Sequence, residues 1–149
     1  MGAYGATRYD EDGLAVESID AHGLRSRTEY DGQRRAFRST DAEGAVSTQT
    51  YDARHNVIAT SVAPKPGSPL AAISTSATYH ATCNTPLTET DALGRVTSYA
   101  YDATTCRMNS MTGPAIGGVS PVTTFSYNAR GQLTGISDPT GFSRSKTYE

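Results

Sequence analysis

Three neighbouring carboxylates near the amino terminus are the first candidate for chemistry in this chain. Asp10, Glu11 and Asp12 stand side by side, and hard oxygen ligands in a turn are the groups that calcium prefers. The spacing lacks the other ligands of an EF-hand loop, and aspartate at such positions already has a role in shaping turns. The sequence therefore predicts a turn here and no metal site, with a calcium loop as the alternative.

The histidines, hydroxyl residues and glycines form no catalytic pattern. His22, His55 and His80 lie in or beside different turns, without the paired spacing of a zinc site or of an HExxH helix. Serine is abundant but never stands in a Gly-x-Ser-x-Gly elbow. Gly117-Gly118 has no Lys-Ser/Thr after it, as a phosphate loop requires. We therefore expect no catalytic, cofactor-binding or metal-binding residue, and no enzyme.

A periodic arrangement of tyrosines sets the framework for all these residues. Seven of the nine tyrosines follow one another at intervals of 21, 21, 28, 22, 26 and 21 residues. Most are followed directly by aspartate, and most are preceded by glycine seven positions earlier, the first at Gly2. Repetition at this scale is typical of one supersecondary unit repeated along the chain. The repeat landmarks are Tyr9, Asp10, Gly13, Asp20, Gly23, Tyr30, Asp31, Asp41, Gly44, Tyr51, Asp52, Tyr79, Asp91, Gly94, Tyr101, Asp102, Tyr127, Gly131, Asp138, Gly141 and Tyr148.

Each repeat carries two turn signals separated by short strand-like segments. Asp-x-x-Gly, as in 20–23 and 138–141, matches the type I turn preference for aspartate first and glycine fourth. The intervening six or seven residues are rich in Thr, Val, Ile and Tyr, which favours strands over helices. The sequence therefore predicts an all-β chain of consecutive antiparallel hairpins. Tyrosines of successive hairpins, roughly 9–10 Å apart, are expected to pack against the intervening strand.

The composition predicts a sheet with little core. The chain has six Leu, three Phe and no Trp among 149 residues, against 36 Ser and Thr. Side chains alternate weakly along the strands, so a two-sheet sandwich would bury too little apolar surface. A long curved sheet is the better prediction. The net charge of -2 gives no reason to expect nucleic acid, and no apolar run is long enough to span a bilayer.

Two proline-containing stretches lengthen their repeats without ending the series. Residues 62–74 and 112–121 contain these insertions, which are predicted to be loops at the rim of the sheet. The whole chain, 1–149, is thus predicted to be one array of six to seven repeats. Because the first and last repeats are incomplete, we expect a fragment of a longer repeat protein.

Tyr-Asp-x-x-Gly, then Asp-x-x-Gly, then seven residues to the next tyrosine, resembles the YD repeat of the Rhs family. The match is best from 9–13 through 20–23 to 30–31, and from 127–131 through 138–141 to Tyr148. The resemblance covers essentially the whole chain. Its departures are at the first glycine of four repeats, and those turns are expected to be looser. The residues standing there are Arg34, His55, Cys83 and Thr105.

The resemblance implies a fold and a role. In Rhs proteins, in C components of insecticidal toxin complexes and in teneurins, such repeats form a β-ribbon that spirals into a hollow shell. In the bacterial toxins, this shell encloses a polymorphic toxin domain. The resemblance thus implies an exported, non-catalytic segment with neighbouring repeats, and an enclosed toxin or effector domain, as partners. The family's shell-closing segment, with its self-cleavage site, is not matched, since Asp138-Pro139-Thr140-Gly141 shares only four letters with it.

The alternative function is a cell-surface carbohydrate-binding or adhesion module. Tyr99 and Tyr101, with nearby polar groups, would then hold a glycan. Glycan-binding repeats of similar length depend on Trp, which this chain lacks.

The two cysteines fall in matching turns of adjacent hairpins. Cys83 follows Tyr79 by four residues, and Cys106 follows Tyr101 by five, because of a one-residue insertion. Equivalent positions two strands apart exceed the ~4.4–6.8 Å between Cα atoms that a disulfide requires, unless the turns pucker. A disulfide and two free thiols both remain open from the sequence.

Overall fold

The computed structural model describes residues 5–148, and every regular element in that range is a β-strand. Gly2 and Glu149 lie outside the described residues. Pairing is antiparallel between chain neighbours, and the hydrogen-bonded order follows the chain from first to last strand. The strands are β1 (Ala6–Tyr9), β2 (Ala15–Ile19), β3 (Arg25–Tyr30), β4 (Ala36–Thr40), β5 (Val46–Tyr51), β6 (Val57–Ala63), β7 (Ile73–Tyr79), β8 (Pro86–Thr90), β9 (Val96–Tyr101), β10 (Met108–Thr112), β11 (Val122–Tyr127), β12 (Leu133–Ser137) and β13 (Ser143–Ser145).

This topology confirms the predicted all-β meander of hairpins. The chain divides into two compact units, Met1–Thr75 and Ser76–Glu149. In each unit, turns that follow a landmark tyrosine lie at one rim of the sheet, which we call the Tyr-Asp rim. The remaining turns lie at the opposite rim, the second rim. The two insertions connect β6 to β7 and β10 to β11 at this second rim.

No side chain among the described residues is buried, so the sheet has no hydrophobic core. Its strands are held by ladder hydrogen bonds and by pairs across neighbouring strands, such as Ser18 Oγ to Ser26 Oγ at 2.8 Å and Thr78 Oγ1 to Thr88 Oγ1 at 2.7 Å. Hydroxyl pairs of this kind contribute modestly to sheet stability. The absence of a hydrophobic core among the described residues agrees with the scarcity of apolar residues in the sequence.

A β-bulge stands opposite the landmark tyrosine in each of six hairpins. Arg8 pairs with Glu17 whereas Tyr9 pairs with Ala15, so Val16 is an extra residue on the second strand. A bulge increases the local twist of a strand pair. The pairs of β2 with β3, β4 with β5 and β8 with β9 show no such shift. The extra residues are Val16, Phe37, Ile58, Leu87, Asn109 and Thr134.

The turns close with a left-handed residue at their last position. Gly94 N donates to Asp91 O at 2.9 Å with φ of 75° at the glycine. Arg34 and His55, with φ of 62° and 67°, make the same bond to Asp31 O and Asp52 O. The expectation that these turns would be looser is therefore wrong, because non-glycine residues adopt the left-handed conformation at a modest cost. Landmark glycines with positive φ are Gly13, Gly23, Gly44, Gly94, Gly131 and Gly141.

Both cysteine-containing turns are one residue longer than the others. His80 N donates to Thr85 O and Asp102 N to Arg107 O, five residues on, whereas the equivalent bond at Asp31 reaches Arg35, four residues on. The left-handed residues there are Asn84 and Cys106. From the sequence, the insertion was predicted only in the turn that contains Cys106. The turn that contains Cys83 begins with His80 instead of the aspartate that marks the start of most other turns.

Candidate functional site

The landmark carboxylates cap their own turns. Asp10 Oδ1 accepts hydrogen bonds from the backbone N–H groups of Asp12 at 3.0 Å and Leu14 at 2.8 Å. This pattern, to residues two and four positions later, is the Asx-turn chemistry that makes aspartate favourable in turns. It recurs at Asp20, Asp31, Asp41, Asp52, Asp91, Asn128 and Asp138.

Two turns achieve the same result with different groups. Asp102 Oδ1 accepts from the N–H groups of Thr104 and Thr105 and from the Thr105 hydroxyl. His80 uses its ring nitrogen Nδ1, which accepts from the N–H groups of Thr82 at 3.3 Å and Cys83 at 3.1 Å. Because these groups accept hydrogen bonds from backbone N–H groups of their own turns, their role in these repeats is structural.

The remaining candidates for metal or acid-base chemistry are dispersed. His22 Nδ1 lies 3.8 Å from the carboxylate of Asp20, and His55 Nδ1 lies 3.5 Å from a guanidinium nitrogen of Arg35. Within residues 5–148, no three His, Cys, Asp or Glu side chains are grouped so that they could hold a metal ion. In the same range, no helix is long and apolar enough to cross a membrane.

The turn-capping carboxylates have lowered pKa values. Hydrogen bonds from the Arg35 side chain lower the pKa of Asp31, and those from Asn56 and Thr140 lower the pKa of Asp52 and Asp138. Backbone N–H groups of Arg95 and Thr105 do the same for the pKa of Asp91 and Asp102. All five groups favour the ionised form because the turn donates hydrogen bonds to it.

Acid should therefore loosen the turns. A carboxyl group whose pKa is lowered on folding stabilises the fold above its unfolded pKa, and that stabilisation is lost as the pH falls through the lower folded-state pKa. We expect the urea midpoint to fall once the pH drops below about 4. Asp138→Asn is the matched variant, because all its bonds are accepted by Oδ1 and Asn128 already caps a turn through an amide oxygen. Its acid dependence should be shallower. A wild-type midpoint that is flat down to pH 2 would contradict this role of the carboxylates.

Two of the landmark tyrosines contact the strand that lies between successive hairpins. Tyr30 Oη donates to Ala15 O at 3.1 Å, and Tyr51 Oη lies 2.6 Å from Ala36 O. Each acceptor is the residue paired with the tyrosine of the preceding hairpin. This is the packing against the intervening strand that the periodicity predicted.

The two tyrosines proposed for glycan binding are half-buried. Tyr99 Oη donates to Glu89 Oε2 at 2.6 Å. That hydrogen bond, with smaller contributions from desolvation and negative charge, raises the pKa of Tyr99 to about 12. Because this hydroxyl already has a partner, it is less available to a sugar.

Cys83 and Cys106 form a disulfide in the second unit, with Cα atoms 5.4 Å apart. The separation falls in the range that a disulfide needs. Cys83 is the fourth residue of its turn and Cys106 the fifth of its own, counted from His80 and Asp102. This offset within two lengthened turns brings together residues that equivalent positions would hold apart. The bond ties the β7–β8 hairpin to the β9–β10 hairpin at the Tyr-Asp rim.

Comparison with known proteins identifies the class of fold. No family model matches the chain, and no curated protein is similar to it in sequence. Solved structures of bacterial toxin complexes do match. A mutant of the Photorhabdus luminescens Tc holotoxin pore aligns over 95% of this chain, with a TM-score of 0.59 and 14% sequence identity. A crystal structure of TcdB2-TccC3 without its hypervariable C-terminal region aligns over 98% of this chain, with a TM-score of 0.52 and 16% sequence identity.

These matches confirm the fold expected from the resemblance to YD-repeat proteins. The chain spans about a tenth of each matching chain, 9% and 10% respectively. At this level of identity, the likeness concerns the fold alone.

Proposed function

We propose that this chain is a non-catalytic wall segment of a longer, exported YD-repeat shell that encloses or presents a toxin or effector domain. The observation that supports this best is the combination of thirteen strands in chain order with no buried side chain in the described residues. A single layer of sheet, in which polar groups stabilise the turns and the hydrogen bonds between strands, is suited to form a wall with solvent on both faces.

The position of the apolar residues supports a role within a larger assembly. All six exposed large apolar side chains of the second unit lie at its second rim or at the strand ends beside it, with exposures up to 78%. Isolated soluble proteins seldom expose such a concentration of apolar side chains without a partner. We propose that other parts of the parent chain cover this rim. The six residues are Leu93, Val96, Ile116, Val119, Val122 and Phe142.

The wall role is tested on the parent protein. The coding sequence on both sides of this segment would be included, and the purified product examined by limited proteolysis and single-particle imaging. A hollow particle that protects a further domain from protease, and loses this protection when the shell is unfolded, would support the proposal. A parent protein in which all domains are cut at similar rates would overturn it.

The isolated chain is expected to self-associate. Within the described residues, β1 and β13 each pair on one side only, and an open strand edge templates further pairing. Neither edge carries a proline or a cluster of charges in its strand. Light scattering with size exclusion across a concentration series should show growing particles, and appending the neighbouring repeats should suppress them. A monomer that melts cooperatively at high concentration would contradict this expectation.

A further inference from the structure

Arg35 shows how an arginine serves the repeat. It follows the left-handed residue of the β3–β4 turn, and its Nε and Nη2 lie 2.8 and 2.6 Å from Asp31 Oδ2. Its Nη1 donates to Asp52 O at 3.2 Å, and its guanidinium lies 4.5 Å from the ring centroid of Tyr51 in the next hairpin. The fold thus uses one face of this guanidinium and hydrogen-bond donors on its edges.

Arg107 occupies the same place in the β9–β10 turn but lacks those bonds. It follows the left-handed Cys106, and its guanidinium lies 5.9 Å from the ring centroid of Tyr127 in the next hairpin. Among the described residues, its side chain has no hydrogen bond or ion pair. The turn is one residue longer, so Arg107 follows the aspartate by five positions instead of four. Asp102 Oδ1 bonds Thr105 instead.

The Arg107 guanidinium packs against Gly131 of the next hairpin, in the place that a Cβ atom would occupy, and it borders an open cleft of about 250 Å³. Asn109, the bulge residue of this hairpin, lies in the cleft wall and its amide has no hydrogen bond within the described residues. The hydroxyl of Tyr127 also lacks the bond to a carbonyl that Tyr30 and Tyr51 make. Phe125, two residues before Tyr127 on the same face of β11, adds a second aromatic ring.

These groups together suit one class of ligand. A guanidinium with free donors binds a carboxylate in a bidentate manner. Neutral amide and phenol groups bond hydroxyls, and aromatic rings offer apolar surface to the C–H face of a sugar ring. Asp102 at the cleft wall accepts the bonds of its own turn through Oδ1, which leaves Oδ2 for hydroxyls of a ligand.

We propose that this cleft binds a single sugar residue that carries a carboxylate, a uronic acid, with Arg107 on the carboxylate and Phe125 and Tyr127 against the ring. The volume fits one such residue. The site differs from Tyr99 and Tyr101, and it lies within one unit of the chain. Its test measures ligand binding by this chain alone, so the outcome does not depend on the proposed wall role.

The test uses the full chain and three probes: methyl glucuronide, methyl glucoside and acetate. Saturation-transfer NMR suits weak binding, and it tolerates self-association of the protein. Methyl glucuronide is expected to bind, with methyl glucoside and acetate each at least tenfold weaker. Arg107→Gln should weaken glucuronide binding at least tenfold. Phe125→Leu should weaken glucuronide binding without changing the weak response to acetate.

Arg95→Gln is the matched control. Like Arg107, Arg95 follows a left-handed turn residue of the second unit, here Gly94, but its guanidinium is bound to Asp91 at 2.7 Å. This variant should bind glucuronide as the wild type does, and circular dichroism should show the same fold in all variants. Equal binding of glucuronide and acetate, equal losses in the Arg107 and Arg95 variants, or no glucuronide binding would each overturn the proposal.

Discussion

Replacing both Cys83 and Cys106 with serine is expected to lower the free energy of unfolding of the second unit by about 3 kcal/mol. The disulfide closes a segment with a sequence separation of 23 residues, and its removal restores the conformational freedom of that segment in the unfolded chain. In a sheet without a buried core, this amount is a large part of the total stability. Urea denaturation followed by circular dichroism measures the change.

A reducing agent provides the control for this prediction. It should lower the midpoint of the wild type to that of the double serine variant and leave the variant unchanged. If the two proteins unfold at the same urea concentration under oxidising conditions, the disulfide contributes nothing to the stability of the sheet.

The turns could be predicted from the sequence because their causes are local. Aspartate at the first position of most turns, as at Asp91 and Asp138, accepts hydrogen bonds from the backbone that follows it. Glycine at the fourth position supplies the left-handed conformation. Such requirements act within five residues, so they recur in the sequence wherever they recur in the structure.

The bulges were missed, although the sequence contains a signal for them. Strict alternation fails at Ala15-Val16, Ala36-Phe37, Val57-Ile58 and Pro86-Leu87, where two apolar residues follow each other at the start of the second strand. In each pair, the second residue is the extra one in the bulge. The extra residue of a bulge moves the side chains that follow it to the other face of the sheet. This change of register is part of the reason why apolar and polar residues alternate only weakly along the strands.

The disulfide and the cleft beside Arg107 both depend on differences between copies of the repeat. The lengthened turns bring Cys83 and Cys106 together, and with the extra residue Arg107 does not make the bonds to its aspartate that Arg35 makes. The repeat pattern contains only the features that the copies share, so a residue added to one or two copies is not part of it. Arg107 and Arg35 differ in the contacts of their side chains, which the sequence pattern does not specify.

Gly94→Val and Gly141→Val are each expected to destabilise the second unit by about 1–3 kcal/mol. The φ angles at these glycines are 75° and 86°, and a β-branched residue is strained in this region. A Cβ atom at either position would meet nothing within 4 Å, so steric overlap with neighbours makes no contribution. The loss of stability, measured by thermal or urea unfolding, would therefore reflect mainly the backbone strain, reduced by the conformational freedom that the unfolded chain loses with the glycine.

His55 supplies the opposite test in the first unit, because it already adopts a φ of 67° without being glycine. His55→Gly removes that strain, but it also removes the 3.5 Å contact of His55 Nδ1 with Arg35 and adds freedom to the unfolded chain. Its effect on the stability should therefore be much smaller than that of either valine variant. Unchanged midpoints for both valine variants would show that these turns accept any residue. The recurrence of glycine at the fourth position would then need a cause outside the turn itself.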